Sequence, residues 1–104
     1  MNEPEPIRIL LHAPSAAALK RARSNANNLA QASPAPLVRI VVNGEGVAAA
    51  LDEPDARADA LTLVCPNTLQ KIGRTVSAPL TILDEGAVLA IARMQREGWC
   101  YVRA

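Results

Sequence analysis

The chain has 104 residues, enough for one domain with a single modest core. Half of the residues are apolar, but Trp99 and Tyr101 are the only aromatics and Phe is absent, so the core must come from Ala, Val, Leu and Ile. Eleven basic and ten acidic residues leave a formal net charge of +1, which gives no electrostatic footprint for nucleic acid, and no run reaches the ~18 apolar residues of a membrane span.

Residues 1–6 read as a flexible, acidic, proline-rich lead-in, unlike the basic start of a signal peptide. A single domain is expected over 7–104, in the cytoplasm, where Cys65 and Cys100 stay free thiols. A small chain this apolar is expected to cover leftover surface by self-association.

Residues 7–12 form an apolar run, read as a central strand. Pro14 and Ser15 open a helix to about Ala32, with Ser15 as N-cap. Leu19, Ala22, Ala26 and Leu29 make its apolar stripe, and Lys20, Arg21 and Arg23 its solvated face. Asn25 and Asn28 share one side. Residues 33–36 turn. Residues 37–43, rich in β-branched side chains, make the second strand. Gly44-Glu45-Gly46 breaks it and starts a short helix over 47–51, followed by a charged loop over 52–59.

The third strand is expected over 60–65. It leads into a helix over 66–72, with Pro66 at a favourable first position and Gly73 as its end. Residues 80–83 make the fourth strand. Asp84 and Glu85 suit the positive start of a last helix, whose inner face is read as Val88, Ile91, Ala92 and Gln95. Gly98 stops it, and 99–103 form the fifth strand. Five alternations of strand and helix imply a parallel sheet covered on both faces.

Ligands of such sheets sit beyond the carboxyl ends of the strands, and Cys65 lies at one such end. A thiol beside the N–H groups of a helix start ionises more readily than a free one. Pro66 has no N–H, which leaves those of Asn67 and Thr68. Cys65 reads equally well as a buried core thiol, since cysteine is among the most buried residue types. His12, the only imidazole, ends the first strand at the same sheet edge as Asn43 and Cys65, and reads either as a structural side chain or as the one conventional base. Cys100, between Trp99 and Tyr101, reads as packing. One His and two separated Cys are too few for a metal site, and no cofactor is expected. Gly44-x-Gly46 lacks the third glycine of a dinucleotide fingerprint, so a tight turn with positive φ is the reading preferred over a nucleotide site.

Several motifs together resemble the DsrE/DsrF-like (YchN-like) family of small sulfur-metabolism proteins. They are His12 closing the first strand, Asn25-x-x-Asn28, the Gly-x-Gly-Val turn at 44–47, Cys65-x-Asn67-Thr68-Leu69, and Gln95-x-Glu97-Gly98-Trp99-x-Tyr101. The resemblance spans about residues 7–101. It implies a three-layer α/β/α sandwich around a five-stranded parallel sheet. It also implies a homo-oligomer, a trimer or a hexamer of two trimers, and a cysteine that accepts sulfur as a persulfide; Cys65 matches that position. The chain departs from the family pattern at Asn43, where relatives often carry His, and at Pro66, where a smaller or polar residue is common.

The resulting expectation is a sulfur-relay protein exchanging sulfur with a donor or acceptor protein. Cys65 is its reactive group, and His12, Asn43, Gly44, Asn67 and Thr68 line the pocket. The alternative is a non-catalytic oligomeric module that binds a small ligand or partner, with Cys65 as a pocket wall.

Overall fold

A computed structural model describes residues 5–104. Its elements run β1 (Arg8–Ala13), α1 (Ala16–Leu29), β2 (Leu37–Val42), α2 (Glu45–Asp52), α3 (Ala56–Asp59), β3 (Thr62–Val64), α4 (Pro66–Ile72), β4 (Thr81–Ile82), α5 (Ala87–Arg96) and β5 (Cys100–Arg103). The five strands form one sheet in the order β4-β3-β2-β1-β5, and every pairing is parallel. Of the expected lead-in, residues 1–4 lie outside the described part, and Glu5 and Pro6 are exposed without regular structure.

The strand order explains how the helices distribute. From β1 to β4 the chain steps across the sheet in one direction. Its last crossover, through α5, returns past β1 to β5. Right-handed crossovers then put α5 on the face opposite α1–α4. The buried side chains divide accordingly. On one face, Ala18, Leu19, Ala22 and Ala26 of α1, Val47 and Ala50 of α2, Ala58 of α3 and Leu69 of α4 meet Leu11, Ala13, Val38, Ile40, Val42 and Val64. On the other, Ala87 and Ile91 of α5 meet Leu10, Val41 and Cys65, flanked by Leu63, Leu83, Met94 and Trp99. The domain is thus a three-layer α/β/α sandwich with one thin layer, a single helix.

Local chemistry sets the element ends. Ser15 caps α1 with its hydroxyl, which accepts from the Ala18 N–H at 3.1 Å. Gly73 and Gly98 take left-handed φ values of 68° and 99° just past α4 and α5. Gly46 sits where α2 crosses the end of β1, and any Cβ there would collide with the Ala13 carbonyl oxygen.

Five local expectations are corrected. The first helix ends at Leu29, where its apolar stripe stops, and only three-residue turns carry the chain to Ala32. The charged loop over 52–59 contains α3, because the Asp55 carboxylate caps it by accepting from the Ala58 N–H at 3.2 Å. Asp59, buried at its end, draws in Arg23 of α1 to 3.2 Å, so Arg23 is not part of a solvated face. The last helix begins at Ala87, two residues after the acidic pair, and lays Ala87, Ala90 and Ile91 on the sheet; Val88 (75% exposed), Ala92 and Gln95 face outward. Cys100 is exposed rather than packed, because β5 is the edge strand of the sheet among the described residues.

Candidate functional site at the carboxyl edge of the sheet

Cys65 follows β3 directly and is the N-cap residue of α4. Its carbonyl accepts the Leu69 N–H at 3.2 Å, which closes the first turn of α4, and its own N–H donates to the Val42 carbonyl at 3.1 Å. These two bonds fix the backbone and aim the side chain into the thin layer, where it is 5% exposed. The Ala87 N–H, first in α5, donates to Sγ at 3.4 Å.

Burial pushes the Cys65 thiol up. The polar groups of Thr68, the Ala87 N–H and the Asn67 N–H around the sulfur oppose it, and together they hold the thiol below its ordinary value. Of these groups, the Ala87 N–H stands within hydrogen-bond distance of Sγ and replaces part of the solvation that burial removes. Two helix starts, those of α4 and α5, converge on this atom. Gly86 lets them meet: a Cβ there would stand 2.7 Å from the Asn67 side-chain nitrogen.

Gly44 ties the end of β2 to the same place. Its φ of 52° turns the chain from β2 into α2, and its N–H donates to the Thr68 hydroxyl oxygen at 3.2 Å. The Thr68 hydroxyl therefore accepts from Gly44 beside the Cys65 sulfur. Of the expected grouping, Cys65, Asn67 and Thr68 are gathered at the start of α4, and Gly44 is joined to them through Thr68.

His12 and Asn43 form a second set beside it. His12 Nε2 lies 2.8 Å from Asn43 Oδ1, and His12 Nδ1 lies 2.6 Å from the Tyr101 hydroxyl. An amide oxygen only accepts, so Nε2 carries a hydrogen; in the neutral ring Nδ1 then accepts from the phenol. Asn43 and Gly44 are consecutive, which joins the two sets through the backbone. From β3 to β5 the edge presents Cys65, Asn43, His12 and Tyr101 across four strands. Among the described residues no hydrogen bond links His12 or Asn43 directly to Cys65.

Two contributors escaped the sequence reading, Ala87 and Tyr101. A break at Gly86 after two acids was the only local sign of a helix start near Cys65. Tyr101 belongs to the closing Gln95–Tyr101 motif, but nothing local gives it a place at this site, because its partner is 89 residues away. Asn25 and Asn28 lie elsewhere, beside a groove of about 260 Å³ formed with Ile9, Leu11, Leu29 and Val102. A second groove, about 320 Å³, lies on the thin face between Arg39, Leu63, Met94 and Trp99, with the Arg39 guanidinium 5.9 Å from the Trp99 ring centre. Neither groove is lined by Cys65 or His12. Among the described residues, no helix is long and apolar enough to cross a membrane. Comparison with protein-family models and with curated proteins finds no match to this chain.

Proposed function

We propose that this protein is a cytoplasmic sulfur-relay protein of the DsrE/DsrF-like kind, in which Cys65 carries sulfur as a persulfide. The observation that carries the reading is the Cys65 sulfur seated at the start of α4 with the Ala87 N–H of α5 donating to it at 3.4 Å, a setting whose polar groups favour its anionic form. The thiolate is the nucleophile in sulfur exchange. In the transfer, the Cys65 thiolate attacks the outer sulfur of a donor persulfide, R–S–S–H. The donor S–S bond breaks as the Cys65 Sγ–S bond forms. The outer proton leaves with the donor as R–S–H, and an anionic persulfide remains on Cys65. No external oxidant or reductant is required, because the sulfur keeps its oxidation state.

The two cysteines provide an internal test. Cys100 is exposed and Cys65 is buried, so access alone favours Cys100. Treating the native protein with a low-molecular-weight persulfide and mapping the added sulfur by mass spectrometry is expected to find it first on Cys65. Equal labelling of the two cysteines, or labelling of Cys100 alone, overturns the reading. The burial of Cys65 among Leu10, Val41, Ala87 and Ile91 favours a second reading, a binding module in which the thiol only packs. In that case Cys65 stays unlabelled and Cys65→Ser leaves assembly unchanged.

A homo-oligomer, a trimer or a hexamer of two trimers, belongs to the same proposal. Supporting it are the exposed apolar side chains Val88 and Leu89 on α5 and Tyr101 and Val102 on the open edge.

A further inference from the structure

Among the described residues, the hydrogen-bonded chain Tyr101–His12–Asn43 runs along the carboxyl edge and stops one strand short of Cys65. β2 and β3 pair through Val42 and Val64. Asn43 and Cys65 are the next residue on each strand, so they stand abreast. Both side chains belong to the thin face: Cys65 packs there with Leu10 and Val41, and Asn43 reaches His12, which shares its side of β1 with Leu10.

The chain also has a direction. With Asn43 Oδ1 turned to His12 Nε2, the amide oxygen is committed on the β1 side. The amide nitrogen is then the free end of the side chain: among the described residues it donates no hydrogen bond to the protein, and it is open to solvent beside Cys65. The Tyr101 hydroxyl holds this arrangement from the far end, because donating to Nδ1 keeps the ring hydrogen on Nε2. If that phenol hydrogen is lost, the neutral ring can move its hydrogen to Nδ1. The amide is then free to turn over and present its oxygen, an acceptor, on the β3 side.

We infer that Tyr101 and His12 are positioning residues that keep the Asn43 amide nitrogen turned toward β3, where it donates to an anionic sulfur on Cys65. This rests on the sulfur-carrier reading and deepens it: the amide donates to the Cys65 thiolate before transfer and to the outer sulfur of the persulfide after it, in addition to the Ala87 N–H on the inner sulfur. An amide is suited to this task because it donates a hydrogen bond without supplying a competing proton.

The test uses the reduced full-length protein and two readouts. One is the pH midpoint for alkylation of Cys65 by iodoacetamide, which needs no sulfur transfer. The other is the lifetime of the persulfide formed with a low-molecular-weight persulfide donor. Hydrogen bonds to charged groups are the stronger kind, so Asn43→Ala is expected to raise the midpoint by about one pH unit and to shorten the lifetime about tenfold. Tyr101→Phe removes one oxygen that does not face Cys65, and is expected to move both readouts the same way by a smaller amount. It also converts the His12 imidazole nitrogen resonances from one tautomer to a mixture. If both variants keep the wild-type midpoint, the inference falls, whatever the persulfide does. If wild-type Cys65 takes up no sulfur while the midpoints still move, the sulfur-carrier reading falls and the positioning role toward the thiolate stands.

Discussion

At Cys65 a buried thiol is held below its ordinary ionisation range, and that has a thermodynamic consequence. The unfolded chain has no such donors, so its thiol titrates at the higher, ordinary value. A depressed folded value contributes stability that is fully present above the unfolded value and is lost as pH falls through the folded one. Unfolding in urea, under reducing conditions and at a series of pH values, should therefore show the gap between wild type and Cys65→Ala widening as pH rises between those two values. A gap that stays constant means the thiol is not shifted. Gly46 makes a second residue-scale prediction. Gly46→Ala places a methyl group against the Ala13 carbonyl, where only backbone movement can relieve it. A loss of at least ~1–3 kcal/mol is expected by the same measurement. Cys65 and His12 could be singled out in the sequence because each is a rare residue type at a strand end. Tyr101 and Ala87 could not, because their roles exist only once β5 and α5 have been brought back across the sheet.

The helices show where local pattern suffices and where packing decides. Ser15, Pro66, Gly73 and Gly98 mark element ends through their own backbone and capping chemistry, and the structure uses each as expected. The inner face of α5 was misplaced because the apolar side chains of 87–92 nearly encircle the helix. Its small residues Ala87 and Ala90, not Val88, lie against the sheet. The difference is measurable: Ile91→Ala should cost about 2–5 kcal/mol, the usual range for a buried aliphatic side chain, whereas Val88→Ala should stay within about 0.5 kcal/mol for a monomer. Helix α3 was missed for a different reason. A four-residue helix has almost no periodicity of its own, and this one exists through its Asp55 cap and the Arg23–Asp59 pair. Asp59→Ala leaves the Arg23 guanidinium in the interior without its counter-charge, and a loss of about 3–5 kcal/mol is expected. Denaturant midpoints of the two single variants and the Arg23→Met/Asp59→Ala double variant test this, since the double variant should recover part of the loss.

For the whole molecule, alternating strand and helix were enough to indicate a parallel sheet with helical cover on both sides. What they did not reveal is how unevenly that cover is shared. Four helices protect one face, and α5 alone protects the other. If the exposed apolar residues of α5 and β5 are where copies meet, Val88→Lys combined with Leu89→Lys should lower the molar mass measured by light scattering while leaving the far-ultraviolet circular dichroism spectrum intact. An unchanged mass places the contact elsewhere or rules it out. The thin layer also sets the lowest-energy route to the sulfur. Cys65 lies under α5, and detaching that one helix uncovers it while the rest of the sandwich stays assembled. Thiol exchange at Cys65 should then respond to low urea with a slope well below that of global unfolding, and amide protection along α5 should fall in step with it. Access to the Cys65 sulfur then becomes an equilibrium of the native protein, with the opening of one helix acting as its gate.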